Sequence, residues 1–129
     1  MSKPRLLDLY CGAGGAAMTQ TAVRVVIESP FKAATARLRG ANVRYARACL
    51  KHSLSLGESP FASHLLYPQV LDDDVPAERE QGIAGQLAWL EVCDLVAVYD
   101  DRGISAGMQA AIDYATKIGK PILYRSIRP

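Results

Sequence analysis

The sequence predicts an α/β protein, namely a doubly wound (flavodoxin- or Rossmann-like) parallel four-stranded sheet of order 2-1-3-4 with helices on both faces. Strand-like and helix-like segments alternate along the chain. The run Leu95–Tyr99 is apolar throughout, as expected of a strand buried on both faces. Turn residues, a helical pattern and a second apolar run follow it, and right-handed crossovers arrange such units into a doubly wound sheet.

Composition fits one soluble globular domain, because half of the 129 residues are hydrophobic and 22% are charged. A formal net charge of +2 is too small to indicate nucleic acid or a membrane surface as partner. No apolar run approaches the ~20 residues of a membrane span, and no signal peptide is recognisable. Cys11, Cys49 and Cys93 are odd in number and widely spaced. We therefore expect reduced thiols in a cytoplasmic protein, without disulfides, a metal site or a cofactor.

The first twenty residues contain a sharp local motif. Leu6–Gly15, LLDLYCGAGG, resembles the first motif of DNA cytosine-5 methyltransferases, in which a strand and a glycine loop hold S-adenosylmethionine. The Pro-Cys nucleophile motif of that family is missing, and the remaining chain is too short for its domain. We therefore interpret residues 1–20 as a leader, poorly ordered as termini often are, and residues 21–129 as the folded domain.

The first strand is predicted at Val23–Glu28 and the first helix from Asn42, as N-cap, to about Leu56. The segment Phe31–Gly40 is ambiguous, since its alanines favour helix and Gly40 argues for a break. The inner face of the helix is formed by apolar and small residues at helical spacing, which are Val43, Ala46, Cys49, Leu50, Ser53 and Leu54.

A short second strand is predicted at Pro60–Ala62, and a second helix at about Ala77–Val92. That helix is expected to bury Ile83, Leu87 and Leu90, with Trp89 on its flank.

Three aspartates, Asp72, Asp73 and Asp74, precede this helix. They either form a solvated capping cluster that complements the positive end of the helix dipole, or they bind a cation.

The third strand, Leu95–Tyr99, ends in the turn Asp100–Gly103. Ser105 is the predicted N-cap of a helix that begins at Ala106 and stops at Gly119. Ile122–Tyr124 forms the fourth strand. With order 2-1-3-4, the switch point lies between the carboxyl ends of strands one and three, where open α/β sheets bind ligands.

Val23–Tyr124 resembles the nucleoside 2-deoxyribosyltransferase-like superfamily, in particular its uncharacterised phage and bacterial branch. The matching pieces are Ile27–Phe31, Asp94, Asp100-Asp101, Gly107-Met108, Tyr114-Ala115 and Gly119–Pro121, with Ala46–Leu50 and Phe61–Tyr67 similar to that branch. The resemblance implies a nucleoside or nucleotide ligand, and a homo-oligomer because relatives often complete their sites across subunits.

Enzymes of that superfamily form a covalent glycosyl intermediate on a glutamate of the helix after strand three. The resemblance places this glutamate at Ala111, or at Gln109 in another register, and neither side chain can replace a carboxylate. Asp113 is the nearest acid, but two residues correspond to about 200° around a helix. The standard covalent mechanism is therefore not expected.

At the switch point, the residues at and after the end of strand one (Glu28–Phe31) are expected to face Asp100, Asp101 and Ser105 across one cleft. This cleft and the resemblance together give candidate catalytic and ligand-binding residues. The catalytic candidates are Glu28, Asp100 and Asp101; the ligand-binding candidates are Ser29, Pro30, Phe31, His64, Asp94, Ser105, Gly107, Met108 and Gln109. Each has a structural alternative. The aspartates can simply form the turn, Phe31 and Tyr67 can belong to the core, and His64 can be structural.

Two functions follow from these residues. The first is a nucleoside- or nucleotide-binding protein without turnover, which by analogy with phage relatives would sequester a host nucleotide signal. The second is an N-glycosidase or nucleotide hydrolase in which Asp100, Asp101 or Glu28 activates water. A partner-binding subunit with a closed cleft is the third alternative.

Overall fold

A computed structural model describes residues 22–128. They form a four-stranded, fully parallel sheet of order β2-β1-β3-β4, which confirms the predicted fold class and strand order. In chain order the elements are β1 (Arg24–Glu28), α1 (Ala36–Ser55), β2 (Ser59–Phe61), α2 (Ser63–Leu66), a 3₁₀ turn (Tyr67–Gln69), α3 (Pro76–Val92), β3 (Leu95–Tyr99), α4 (Ala106–Lys117) and β4 (Ile122–Arg125).

The two faces of the sheet bury different residues, because successive side chains of a strand point to opposite sides. On one face, here called the α3/α4 face, lie Val26, Leu90, Cys93, Val96, Val98, Met108, Ala111, Ile112 and Ala115. On the opposite face, here called the α1 face, lie Val25, Ile27, Cys49, Ala62, Ala97 and Tyr99. Both central strands are therefore buried from both sides.

The start of α1 corrects the sequence prediction. The helix begins at Ala36, and its N-cap is Thr35, whose hydroxyl accepts a hydrogen bond from the amide of Leu38 at 3.2 Å. Asn42 is not a cap: it is buried within the helix and its side-chain amide donates to the carbonyl of Phe31 at 3.1 Å. Gly40 lies within the helix without breaking it.

Two apolar residues predicted to be buried are exposed instead. Leu54 of α1 is 56% exposed and Ile83 of α3 is 45% exposed. Leu54 lies in the last turn of α1, and Ile83 faces a cavity. The strand β2 also begins one residue earlier than predicted, and the short helix α2 behind it was not predicted.

The cap of α4 is as predicted. The Ser105 hydroxyl accepts a hydrogen bond from the amide of Met108 at 3.2 Å. Gly119, beyond the end of α4, has a φ of +77°, a backbone conformation that side chains with a Cβ rarely adopt. No helix within residues 22–128 is both long and apolar enough to cross a membrane.

A half-buried ion pair connects β4 to the chain between α1 and β2. The Arg125 guanidinium donates to both carboxylate oxygens of Glu58, at 2.8 and 2.6 Å, and it also lies over the ring of Tyr99. Hydrogen bonding from Arg125 is the main reason that the pKa of Glu58 is lowered. The pair thus connects the edge strand β4 to the segment before β2, and the Arg125 side chain lies on the α1 face of the sheet.

Candidate functional site

A cavity of about 520 Å³ opens at the carboxyl ends of β1 and β3. The end of β1, the start of α2, one face of α3 and the first turns of α4 form its walls. Its lining residues are Glu28, Ser29, Phe31, Lys32, Ser63, His64, Asp73, Arg79, Ile83, Gln86, Ser105, Ala106, Gly107, Met108, Ala110 and Ala111. The cavity thus lies at the switch point where the sequence places a ligand site.

Glu28 is the most perturbed acid of this cavity. It continues the alternation of Val26 on β1, so its side chain points to the α3/α4 face, and it is only 3% exposed. Gln86 of α3 donates a hydrogen bond from Nε2 to Oε2 of Glu28 at 2.6 Å. Burial raises the pKa of Glu28 to about 8, although the Gln86 bond lowers it. At neutral pH this carboxyl is therefore mostly protonated.

Ser29 and His64 form a second polar pair in the cavity wall. The Ser29 Oγ and His64 Nε2 lie 2.6 Å apart. Burial lowers the pKa of His64 to about 4, so the imidazole is neutral at physiological pH. A neutral imidazole accepts from or donates to a hydroxyl, and the pair offers a ligand a polar but uncharged wall.

The first turn of α4 supplies backbone donors. A helix leaves its first four amides without intrahelical partners. The amide of Ser105 donates to the Met108 sulfur, and the amide of Met108 donates to the Ser105 hydroxyl. The amides of Ala106 and Gly107 have no acceptor among residues 22–128, and both residues line the cavity. Such a helix start favours a phosphate or carboxylate.

Because Gly107 has no side chain, the first turn of α4 leaves space for a ligand at this position. A Cβ built on Gly107 would meet only the Ser105 hydroxyl, at 4.0 Å, within the described part of the chain. A ligand can therefore approach the backbone of α4 closely at this point. Lys32 and Arg79 add two cationic side chains to the cavity, and Arg79 lies 4.0 Å from the carboxylate of Asp73.

Six residues of the sequence prediction lie in the cavity wall together with Glu28: Ser29, Phe31, His64, Ser105, Gly107 and Met108. Ala111 also lines it, so the position where the resemblance places the nucleophile presents a methyl group to the cavity. Among the described residues, the remaining five predicted site residues are placed elsewhere.

Asp100 and Asp101 do not face Glu28 across the cleft, contrary to the sequence prediction. Asp100 is exposed. Asp101 accepts hydrogen bonds from the Tyr45 hydroxyl at 2.7 Å, the Ile127 amide at 3.0 Å and the Ser126 hydroxyl. Although burial opposes it, these bonds hold the pKa of Asp101 well below its usual range. Asp101 thus connects α1 to the chain after β4.

The other three residues also lie outside the cavity wall. Asp94 precedes β3, at the amino end of the sheet, where its carboxylate accepts from the amide of Arg24 at 2.7 Å and pairs with its guanidinium at 3.3 Å. Gln109 is exposed and donates to Asp113 at 2.9 Å. Pro30 is buried beside a separate surface depression.

Three residues of α3 were not identified from the sequence as part of the site, namely Arg79, Ile83 and Gln86, which line the cavity. They are spaced by four and three residues, so they share one helix face. The spacing predicts that the three side chains lie on the same side of the helix, but it does not predict that this side borders a cavity. Lys32 and Asp73, from the loops after β1 and before α3, were likewise not singled out for the cavity.

A second cavity of about 480 Å³ adjoins the first and shares Phe31, Lys32 and Asp73 with it. Asp72 and Asp74, which line it, are engaged in a local turn, since Asp74 donates its amide to the Asp72 carboxylate at 2.9 Å. Within residues 22–128, no group of three or more His, Cys, Asp or Glu residues is arranged to hold a metal ion. The methyltransferase-like segment, residues 6–15, lies outside the described residues.

Comparisons with known proteins give a family and a fold. A family model described as a domain of unknown function matches residues 23–125. The structure resembles that of a 2-deoxyribosyltransferase from the psychrotolerant bacterium Bacillus psychrosaccharolyticus, with 17% identity and a TM-score of 0.60 over 81% of this chain and 72% of that one.

A CMP N-glycosidase of Clostridium botulinum is more distant, with 15% identity and a TM-score of 0.45 over 80% of this chain and 68% of that one. No curated protein sequence matches the chain. The first of the two structures establishes a deoxyribosyltransferase-like α/β fold.

Proposed function

The chain belongs to the family DUF7768, a domain of unknown function, and from the geometry of its site we propose that it binds a nucleoside or nucleotide in the cavity between β1 and α4. The single observation that carries this proposal is the cavity itself. Its volume of about 520 Å³ lies within the usual range for small-molecule sites, roughly 300–1,000 Å³.

The chemistry of the walls suits the parts of a nucleotide. Phe31 offers an aromatic ring to a base. The free amides of Ala106 and Gly107 and the cationic side chains of Lys32 and Arg79 favour a phosphate. The fold shared with a 2-deoxyribosyltransferase is the reason to test nucleosides first.

We favour binding over covalent catalysis because Ala111 has no nucleophile. The side chain that meets the cavity there is a methyl group, and Gln109 points to Asp113 on the exposed side of α4. A protein that holds a nucleotide without cleaving it would lower the free concentration of that nucleotide. Sequestration of a nucleotide signal, in a phage-infected cytoplasm, is the physiological role that we propose on this basis.

Calorimetric titration tests the proposal. The four deoxynucleosides, their 5′-monophosphates and cyclic dinucleotides are titrated separately into the protein at pH 7. We expect saturable binding of at least one of them, weakened about ten-fold or more by Arg79→Gln when the ligand carries a phosphate, because a charge-assisted hydrogen bond is lost.

Arg47→Gln is the matched control, since Arg47 is exposed on α1 away from the cavity. It is expected to leave the affinity unchanged. If none of the compounds binds, or if Arg47→Gln weakens binding as much as Arg79→Gln, the nucleotide proposal is wrong.

One observation favours a second candidate function, that of an N-glycosidase. A buried carboxyl with a raised pKa, such as Glu28, is typical of a general acid that protonates a leaving group. Chromatography of deoxynucleosides and nucleotides after incubation separates the two functions. Release of free base that is abolished by Glu28→Gln would establish the enzyme, whereas unchanged ligand recovered from a complex supports binding alone.

A further inference from the structure

We propose that Glu28 meets its ligand as a hydrogen-bond donor, and that Gln86 is the positioning residue that turns the donating oxygen, Oε1, toward the cavity. This inference rests on the proposed function, because it names how that site recognises its ligand. The ligand group it requires is an acceptor, such as a carbonyl oxygen or an unprotonated ring nitrogen of a base.

The hydrogen bond between the two side chains distinguishes the two oxygens of Glu28. Gln86 donates its Nε2 to Oε2 at 2.6 Å, so Oε2 is occupied as an acceptor. A protonated carboxyl carries its proton on one oxygen, and the oxygen that already accepts from an amide is the carbonyl-like one. The proton of the neutral carboxyl therefore resides on Oε1. Because Glu28 lines the cavity, a ligand there can accept a hydrogen bond from this oxygen.

The surroundings of Glu28 keep it neutral. No cationic group of residues 22–128 lies within 4.0 Å of its carboxyl. Arg79 of α3 and Lys32, which follows β1, share the cavity, but Arg79 is paired with Asp73. His64 of α2 is itself uncharged at neutral pH, and the cavity-lining residues of α4 carry no charge. A buried carboxyl without a cationic partner favours its protonated form.

A donor that exists only in the protonated state makes ligand affinity depend on pH. With a pKa of about 8, roughly 3% of the sites remain protonated at pH 9.5, so the apparent Kd rises about thirty-fold between pH 7.0 and 9.5. The Gln86 bond lowers this pKa, so its removal shifts the midpoint of the pH profile upward. If Gln86 merely kept the site closed, its removal would expose Glu28 to water and lower the midpoint, because burial is the main cause of the raised pKa.

Two measurements test the inference. The first follows the Glu28 side-chain carboxyl by ¹³C NMR in the free protein and in Gln86→Leu. The second titrates the 2′-deoxyadenosine and 2′-deoxycytidine 5′-monophosphates from pH 7.0 to 9.5, a range in which neither ring titrates. We expect a carboxyl midpoint near pH 8, a higher midpoint in Gln86→Leu, and parallel shifts in the binding profile.

Glu28→Gln is expected to bind at pH 9.5 as it does at pH 7.0, because its amide donates at every pH. Gln81→Leu, an exposed position on the same helix, is the control and leaves both midpoints unchanged. A Glu28 midpoint below pH 6, or a midpoint in Gln86→Leu that is equal or lower, would overturn the inference. If neither nucleotide binds at pH 7.0, these two nucleotides are excluded as ligands of the proposed function. The NMR titration of the carboxyl still tests whether Gln86 lowers the pKa of Glu28.

Discussion

At the scale of single residues, strand geometry decides which carboxylates line the cavity. Glu28 extends β1 in phase with Val26 and faces α3, whereas Asp101 extends β3 in phase with Tyr99 and faces α1. Glu28 ends β1 and Asp101 follows β3, and the two strands end at the same edge of the sheet, which is all that the sequence pattern indicates. The side to which each carboxylate turns depends on register, and register is set by packing.

Two titrating residues of the cavity wall, the buried Glu28 and the half-buried His64, give a first prediction. The pKa of folded Glu28 is about 8 and that of folded His64 about 4. Below about pH 6.5 their effects oppose each other, because the folded state retains the Glu28 proton and the unfolded state gains the His64 proton. Between pH 6.5 and 8 only Glu28 acts, and the folded state holds the extra proton. The free energy of unfolding therefore falls as pH rises, by up to about 1.4 kcal/mol per unit.

Urea denaturation at intervals from pH 6.5 to 8.0 measures this slope. Glu28→Gln is expected to flatten it, because glutamine does not titrate. Keeping below pH 8 avoids the buried thiols of Cys49 and Cys93, whose pKa values burial raises. A Glu28→Gln variant that retains the wild-type slope would contradict the assignment.

Gly107 gives a second prediction at this scale. Since a Cβ there meets open space, Gly107→Val adds three methyl-sized atoms to the cavity without straining the backbone of α4. We expect the melting temperature to stay within a few degrees of the wild-type value and nucleotide affinity to fall at least ten-fold. Gly40→Ala in α1, remote from the cavity lining, is the control for both calorimetry and thermal unfolding.

At the scale of elements, type and order were readable from hydrophobic periodicity, and the bounds of β3 and the start of α4 were also predicted, whereas the start of α1 was not. The helix α1 begins seven residues before Asn42 would start it, because Thr35 supplies the side-chain cap. From the sequence, only Asn42 is predicted as the cap, because Gly40 argues for a break before it. Tertiary burial of Asn42 against the Phe31 carbonyl decides for the earlier cap, Thr35.

The packing of α3 against the 3₁₀ turn leads to a third prediction. A Cβ on Gly85 would lie 2.9 Å from Cε2 and 3.1 Å from the hydroxyl oxygen of Tyr67. Tyr67 cannot retreat freely, because its hydroxyl accepts from Trp89 at 3.0 Å and its ring packs edge-on against Phe61. Gly85→Ala is therefore expected to destabilise the protein by roughly 1–3 kcal/mol in urea unfolding.

Gly82, one turn earlier on α3, provides the comparison. Its added Cβ would meet Leu71 at 3.6 Å, an ordinary contact. Gly82→Ala is expected to be neutral or slightly stabilising, since alanine favours helix over glycine. Equal stability of the two variants would show that Tyr67 yields without cost.

At the scale of the whole molecule, the strand order followed from economy of connections and was confirmed. The same order, combined with right-handed crossovers, also fixes the distribution of the helices over the two faces of the sheet. One long helix, α1, packs on one face and two helices, α3 and α4, pack on the other. The edge strand β4 exposes apolar surface on both faces, with Leu123 at 46% and Tyr124 at 56% exposure.

This edge gives the fourth prediction, which concerns self-association. We propose that two copies associate through β4, because an exposed apolar edge strand is a ready surface for pairing. Light scattering coupled to size exclusion is expected to give a mass above the 13.9 kDa of one chain, reduced to that mass by Leu123→Lys. A Lys51→Glu variant, on the exposed side of α1, should leave the assembly intact; a monomeric wild-type protein would exclude this interface.

The position of β1 at the centre of the sheet also governs when the protein can fold. β1 is synthesised before its partners, yet it pairs with β3, some seventy residues downstream, as Arg24 and Asp94 illustrate. Contacts of such separation form slowly, because a long loop must close first. A nascent chain that ends before Leu95 has β2 but not β3 to pair with β1. Val25 and Val26 of β1 would therefore stay accessible to chaperones until β3 has been synthesised.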